Sequence, residues 1–219
     1  MIEPANTDSK SYVIGPLCFE IGISFSRRNN LLAVAGPYAE LLMQACNTTS
    51  FIAGLYNDKI LYLDKKEAKT SVRTSAELGS ANDLYSSGLG KSILASYTNE
   101  SIGRMFASSS ISAHTPYTLT TLAALMEDIE KTRKRGYAID NREADINVYC
   151  IASPIYDSSN TAVAAISIAL LYTSDVVKYS DNYGSLVSQY ALEISHKLGY
   201  TGSLYDHLDE KIVPGAVEE

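Results

Sequence analysis

The chain has 219 residues, of which 46% are hydrophobic and 20% charged, a composition typical of a globular protein with one domain and a short extension. Its longest apolar runs are too short to span a bilayer, and no basic region precedes an apolar stretch at the N-terminus, so we expect a cytoplasmic protein without signal peptide or membrane partner. The net charge of −7 disfavours DNA binding by this chain alone, and three scattered cysteines without a C-x-x-C pair indicate neither a disulfide framework nor a zinc site.

The N-terminal part predicts a leader followed by two helices. Residues 1–10 are polar and suggest an extended or disordered segment. Over residues 12–25 the apolar side chains recur every four positions, which predicts a linker or dimerisation helix with one apolar stripe. A second helix is predicted over residues 31–46, with Pro37 at its start or at a kink.

A β-hairpin follows the second helix. Residues 50–56 and 60–63 are rich in β-formers, and Asn57 and Asp58 between them tolerate the positive φ of a tight turn. Residues 71–75 could add a third strand.

The middle of the chain alternates loops and helices. Residues 78–90 hold three glycines and three serines, which predicts a loop that is mobile or approaches another group closely. We expect a short helix over residues 91–97 and a further loop over residues 108–118.

The C-terminal half has the clearest periodicity. A helix is predicted over residues 120–135, with threonines as N-cap and Gly136 as C-cap. Two strands, 148–156 and 162–171, follow, then a helix over 183–198 and a loosely attached tail after Tyr200. Hairpins with segregated helices predict an α+β fold with an antiparallel sheet.

The last two strands predict one bulky face and one shallow face. An even-length loop would pair Cys150 with Ser167 and place small side chains on one face of the hairpin. That face carries Val148, Cys150, Ala152, Ala165, Ser167 and Ala169, whereas Tyr149, Ile151, Ile166 and Ile168 occupy the other. The shallow face could form a small pocket beneath the glycine loop, or a core that admits a close helix.

Enzyme signatures are largely missing from the sequence. Neither H-E-x-x-H nor G-x-S-x-G occurs, and the segment Gly90-Lys91-Ser92 lacks the glycine that a P-loop needs at position 85, which is tyrosine. The glycine loop could instead present backbone N–H groups to a carboxylate, or serve chain geometry alone. A Cys150 nucleophile with Asp140 nearby is the enzymatic alternative, although no histidine is predicted beside it.

A series of short motifs runs along these segments: Tyr12-Val-Ile-Gly15, Tyr62-Leu-Asp64, Leu89-Gly90-Lys91 with Ile93-Leu-Ala95, Thr115-Pro116-Tyr-Thr118, Arg133-x-Arg135-Gly136-Tyr137-Ala138-Ile139-Asp140, Cys150-Ile-Ala152-x-Pro154-Ile-x-Asp157 and Ala164-Ala-Ile-Ser167. In these motifs the sequence resembles the isocitrate-lyase-regulator (IclR) family of bacterial transcription factors. No motif is distinctive alone, but together, in order and at the family's spacing, they cover about residues 11–199.

This resemblance implies a GAF-like effector-binding domain that binds a small organic acid or related metabolite. We separately expect no cofactor and no metal site. It also implies homodimers or homotetramers, and promoter binding through a winged helix–turn–helix domain. The effector contacts implied are backbone amides of Ser87, Gly88 and Leu89, and the side chains of Asp140, Cys150 and Ser167. Two positions depart from the family pattern: Ala169 stands where a second serine is usual, and Asn147 lies near a usual glycine. The ligand could therefore be less polar than is usual in the family, or bound in a different pose.

We accordingly expect a leader and linker helix in residues 1–30, an effector-binding domain in residues 31–200 and a tail in residues 201–219. We expect this chain to be an expressed fragment that lacks the DNA-binding domain. A free-standing sensor is the alternative. A purely structural oligomerisation domain with a filled core is the remaining possibility.

Overall fold

The computed structural model describes residues 2–4, 12–28, 30–69, 76–107 and 110–209. The strands are β1 (Ile2–Pro4), β2 (Tyr12–Ile14), β3 (Thr49–Tyr56), β4 (Lys59–Lys66), β5 (Ala81–Asp83), β6 (Ala138–Asn141), β7 (Val148–Tyr156) and β8 (Ala162–Leu171). The helices are α1 (Pro16–Arg28), α2 (Asn30–Cys46), α3 (Gly88–Leu94), α4 (Asn99–Phe106), α5 (Leu122–Arg135), α6 (Ser174–Lys178) and α7 (Ser180–Lys197).

Six strands form one antiparallel sheet in the order β5-β4-β3-β8-β7-β6. The hairpin β3–β4 and the hairpin β7–β8 meet through β3 and β8, and helices α3, α4 and α5 are inserted between them in the chain. Strands β1 and β2 form a separate antiparallel pair. The predicted α+β class is thus confirmed, with a GAF-like sheet preceded by a helix.

The two faces of the sheet differ as the alternation of side-chain size predicts. Bulky residues of β3, β7 and β8, including Ile52, Ile151 and Ile166, pack against α2 and α7. The opposite face is shallow because Ala152 and Ala165 project from it, and α3 lies directly on this face, with α5 packed behind it. Small side chains therefore let a helix approach the sheet closely.

The register of the β7–β8 hairpin differs from the predicted one by two residues. Cys150 pairs with Ala169, and Ala152 pairs with Ser167. The loop between Tyr156 and Ala162 has five residues, and a bulge between Ile155 and Tyr156 adds a further offset of one. Because the two offsets sum to an even number, each side chain keeps its predicted face.

Several element ends follow from local chemistry. Asn57 and Asp58 have φ values of 47° and 59°, which gives the tight turn between β3 and β4. Helix α5 starts after Thr121, whose hydroxyl accepts a hydrogen bond from the Ala124 N–H, and it ends at Gly136 with φ 87°.

Other predicted boundaries were wrong. Residues 12–14 form β2, and α1 begins only at Pro16, where the fixed φ of proline suits a first helical position. The segment 78–90 is not one loop, since it contains β5 and the start of α3, which begins at Gly88 rather than at Lys91. The predicted strand at 71–75 lies outside the described residues.

Three short elements, α4, β6 and α6, went unpredicted because their apolar periodicity is too brief to register.

The two ends of the described chain behave differently. Residues up to Asp209 are anchored rather than loosely attached: the Tyr200 ring stacks on Tyr156 at 4.7 Å between centroids, and the Asp209 N–H donates to the Ser96 carbonyl at 2.7 Å. Helix α1, by contrast, leaves the Phe19 side chain 73% exposed. No helix in the described part of the chain is long and apolar enough to cross a membrane.

Candidate functional site

A cavity of about 80 Å³ lies between the N-terminal end of α3 and the shallow face of the sheet. The structure brings all seven sequence-predicted site residues to its wall: Ser87, Gly88, Leu89, Asp140, Cys150, Ser167 and Ala169. Sites for drug-sized ligands usually measure ~300–1,000 Å³. This cavity therefore suits a molecule of only a few carbon atoms.

The α3 end of the cavity is held by Ser87 and two glycines. The Ser87 hydroxyl accepts from the Gly90 N–H at 3.1 Å and donates to the Asp83 carbonyl at 3.0 Å. A side chain at position 90 would overlap the Leu84 backbone, and a Cβ at position 88 would lie 3.2 Å from the Cys150 sulfur. Glycine at both positions thus brings the backbone of the loop against the strands.

Cys150 is buried beneath Gly88 at the centre of the shallow face. Burial, followed by the nearby Asp140 carboxylate, raises the pKa of its thiol to about 12. Such a thiol is protonated at neutral pH, and the described residues that line the cavity include no histidine to deprotonate it. The arrangement disfavours a cysteine nucleophile.

Ser167 and Ala169 follow on the neighbouring strand. The Ser167 hydroxyl is completely buried and makes no regular hydrogen bond within the described part of the protein, although its proximity to the Cys150 thiol acts to lower the pKa of that group. A buried hydroxyl without a partner is unusual in a folded protein. Ala169, directly opposite Cys150, contributes only a methyl group to the wall.

Asp140 projects from β6 and is also buried. Its Oδ1 accepts hydrogen bonds from the backbone N–H groups of Glu143 and Ala144, at 2.6 and 3.4 Å. Burial, followed by the Glu143 carboxylate, raises the pKa of Asp140 to about 7 against the opposing effects of Lys91 and the two backbone donors. Asp140 is consequently poised to exist as either acid or carboxylate near neutral pH.

A buried ionic cluster stands behind this wall. The Lys91 ammonium is inaccessible to solvent and forms ion pairs of 2.8 Å with Asp128 and 2.5 Å with Glu143. Burial would lower the pKa of Lys91, but the two carboxylates outweigh it and raise that pKa. The Lys91 ammonium therefore stabilises two buried carboxylates. In a P-loop the corresponding lysine would instead contact a phosphate.

Sequence reasoning missed half of the cavity wall. The lining residues that were not predicted as effector contacts are Phe51, Tyr62, Ala76, Asn82, Ala144, Asp145 and Val148, of which Val148 alone had been predicted to lie on the shallow face. Phe51 pairs with Ser167 across β3 and β8, so the period-two alternation of β3 could have identified it once that pairing was known. Among the residues that the structure describes, no cluster of three or more His, Cys, Asp or Glu side chains could hold a metal ion.

The fold and site define a regulatory domain built around one sheet, with a small cavity and a protonated, inaccessible thiol. Residues 24–196 match the family model described as "Bacterial transcriptional regulator IclR C-terminal". The chain therefore belongs to the IclR family of bacterial transcriptional regulators, as the C-terminal domain, and is a regulator rather than an enzyme.

Individual proteins that are similar to this chain support the same family assignment. The chain is 31% identical over 199 residues to the HTH-type transcriptional regulator BhcR of Paracoccus denitrificans, covering 91% of this chain and 70% of the relative. It is 34% identical over 186 residues to the HTH-type transcriptional repressor AllR of Salmonella typhi, covering 85% and 68%. The crystal structure of the Thermotoga maritima IclR superposes with a TM-score of 0.78 at 32% identity, covering 90% of this chain and 79% of that one.

Proposed function

We propose that this chain is the effector-sensing part of an IclR-type transcriptional regulator and binds a small organic acid or related metabolite in the cavity beneath α3. The observation that carries this proposal is the buried Ser167 hydroxyl, which faces a cavity and lacks a regular partner among the described residues. A ligand oxygen would satisfy it, and the favourable energy of that hydrogen bond is available only when the ligand is bound.

The proposed contacts follow from the cavity wall. Backbone N–H groups of the Ser87–Leu89 segment and the Ser167 hydroxyl would hold the polar end of the effector, with Asp140 at its side. Cys150 and Ala169 would contact its carbon atoms, since one is a protonated thiol and the other a methyl group. These groups fit a two- to four-carbon acid better than a larger metabolite.

The regulatory output would come from assembly. Relatives of this chain are named HTH-type regulators and repressors, and we propose that promoter DNA is contacted by a winged helix–turn–helix domain outside residues 1–219. Residues 1–30 would include the linker helix, whose exposed apolar side chains suit a homodimer or homotetramer. Effector binding would shift the assembly and thereby the spacing of the DNA-binding domains. This role places the protein in the cytoplasm.

A thermal-shift screen tests the proposal. Acetate, glycolate, pyruvate and lactate are added to the chain, together with sugars and aromatic acids as larger comparison compounds. A ligand at 100 times its Kd adds about 2.7 kcal/mol of stability, which raises the Tm by about 5–11 °C for a domain of this size.

The matched variants are Ser167→Ala, which removes the unpartnered hydroxyl, and Ser185→Ala on the exposed surface of α7. We expect the first to reduce the shift and the second to leave it unchanged. If no small acid raises the Tm, or if Ser167→Ala responds as the unchanged protein does, the cavity is not the effector site.

A further inference from the structure

The cavity wall presents negative but no positive charge to a ligand among the residues that the structure describes. Asp140 and Asp145 both line it, and none of the described lining residues is a lysine, arginine or histidine. The other polar lining groups are neutral: the Asn82 amide, the Tyr62 phenol and the hydroxyls of Ser87 and Ser167. An anionic effector would therefore meet a carboxylate and no lining counter-ion.

The nearest cation cannot supply that counter-ion. Lys91 is completely buried, and its ammonium already contacts one carboxylate oxygen of Asp128 and one of Glu143. Arg135 lies 3.7 Å from the other carboxylate oxygen of Asp128, so the two cations and the two carboxylates of this cluster balance each other before any ligand enters. Binding of an anion beside Asp140 would add another negative charge to this cluster.

Asp140 is built so that it can take up a proton on one oxygen. Both hydrogen bonds to its carboxyl group that the structure describes go to Oδ1, from backbone N–H groups that keep this oxygen an acceptor. Oδ2 is then the atom that can carry a proton and donate. Burial raises the pKa of this group to about 7, within reach of physiological pH.

Other ionisable groups face Asp140 from each element packed around it. They are Lys91 on α3, Asp128 and its partner Arg135 on α5 behind it, Glu143 and Asp145 in the following turn, Cys150 on β7 and Tyr62 on β4. Cys150 and Tyr62 have raised pKa values, so both stay neutral through the pH range in which Asp140 titrates. Glu143 also has a raised pKa, but its carboxylate pairs with Lys91 and does not line the cavity. Asp140 is therefore the lining carboxyl group whose protonation can respond to a bound anion.

We infer that a monocarboxylate enters this cavity together with one proton from solvent, which binds to Oδ2 of Asp140 and is donated as a hydrogen bond to the effector's carboxylate. The inference rests on the proposed function and specifies how the charge of the effector is neutralised. Because one anion and one proton bind together, the net charge of the site is unchanged. The regulator would then sense the acid more strongly as the cytoplasm becomes more acidic.

Isothermal titration calorimetry of the intact chain tests this with acetate, glycolate, pyruvate and lactate, all of which stay ionised above pH 6. Below the pKa of Asp140 the Kd should be constant, and above it the Kd should rise tenfold per pH unit. Titrations in buffers of different ionisation enthalpy should show nearly one proton taken up at pH 8.5 and almost none at pH 5.5.

The variant Asp140→Asn keeps a neutral donor in place and should bind with a Kd that is independent of pH, without proton uptake. Asp175→Asn is the matched control, since Asp175 is exposed on α6 and lies outside the cavity wall, and it should keep both the pH slope and the proton uptake. If Asp140→Asn does not fold, the proton stoichiometry of the unchanged chain still decides the inference.

Two results would overturn the inference in distinguishable ways. Binding with a flat pH profile and no proton uptake at pH 8.5 would refute it while the proposed function stands. Failure of every acid to bind between pH 5.5 and 9 would overturn the proposed function as well.

Discussion

Replacement of Lys91 by methionine should destabilise the domain strongly and in a pH-dependent manner. Methionine keeps the apolar stem but removes the ammonium that pairs with Asp128 and Glu143, whose side chains are only 20% and 6% exposed. Removing one partner of a buried ion pair costs about 3–5 kcal/mol, because the remaining charge is left without compensation. For a domain of this size that loss lowers the Tm by about 6–20 °C.

The pH dependence has a definite sign. Burial already raises the pKa of Glu143 above its usual value despite the opposing effect of Lys91, and loss of Lys91 raises that pKa further. A carboxyl group whose pKa is higher in the folded state destabilises that state above this folded pKa, and the penalty disappears as pH falls below the unfolded value. We therefore expect Lys91→Met to be most destabilising near pH 8 and least near pH 5.

Urea denaturation followed by circular dichroism at both pH values measures the effect. Lys131→Met is the matched control, since Lys131 forms an exposed ion pair with Glu127 and its loss should change the free energy of unfolding by less than about 0.5 kcal/mol. The double variant Lys91→Met/Glu143→Gln should recover part of the lost stability at pH 8. A cost below about 1 kcal/mol, or equal costs at pH 5 and pH 8, would refute the reasoning.

Three further predictions concern the cavity. Gly88→Ala places a methyl group 3.2 Å from the Cys150 sulfur and should weaken binding of the responding acid at least tenfold in calorimetry. Crowding against β7 should lower the free energy of unfolding by no more than about 3 kcal/mol. Gly103→Ala, where an added Cβ meets nothing within 4 Å, should bind normally, and equal affinities of the two variants would contradict the proposed site. With its pKa near 12, Cys150 should react with iodoacetamide at pH 8 at least about a hundredfold more slowly than an unperturbed thiol in peptide mass mapping, whereas rapid labelling would favour a reactive cysteine. Ala169→Ser adds a hydroxyl opposite Cys150 and should tighten carboxylate binding by up to about tenfold in the same calorimetric assay; unchanged affinity would show that position 169 does not contact the acid.

Local sequence determined much of the sheet and one helix. The alternation of large and small side chains in β7 and β8 placed Cys150 and Ser167 on the shallow face, and it survived a wrong register because the error was an even number of residues. Helix α5 could be bounded from Thr121 and Gly136 alone, since a capping hydroxyl and a left-handed glycine act within one turn.

Part of the cavity wall could be predicted from local sequence, and part depends on how the strands pair in the folded domain. Its seven predicted residues were found from short motifs and the family resemblance, because those residues lie on contiguous segments with a recognisable pattern. Phe51 and Tyr62 were missed because only the pairing of β3 with β8 and β4 brings them to the wall. The pairing of strands that are distant in the sequence produces no local periodicity from which it could be predicted.

The charge balance of the site was decided by tertiary structure alone. In the sequence, Lys91 lies in a segment that resembles part of a P-loop but lacks one of its glycines. In the structure, Lys91 pairs with Glu143, 52 residues away, in the interior of the domain. Asp140 likewise has an ordinary acidic side chain, and only burial beside Glu143 raises its pKa. A pattern of residues can indicate which groups meet a ligand, but desolvation and through-space charge, which set their protonation, exist only once the chain is folded.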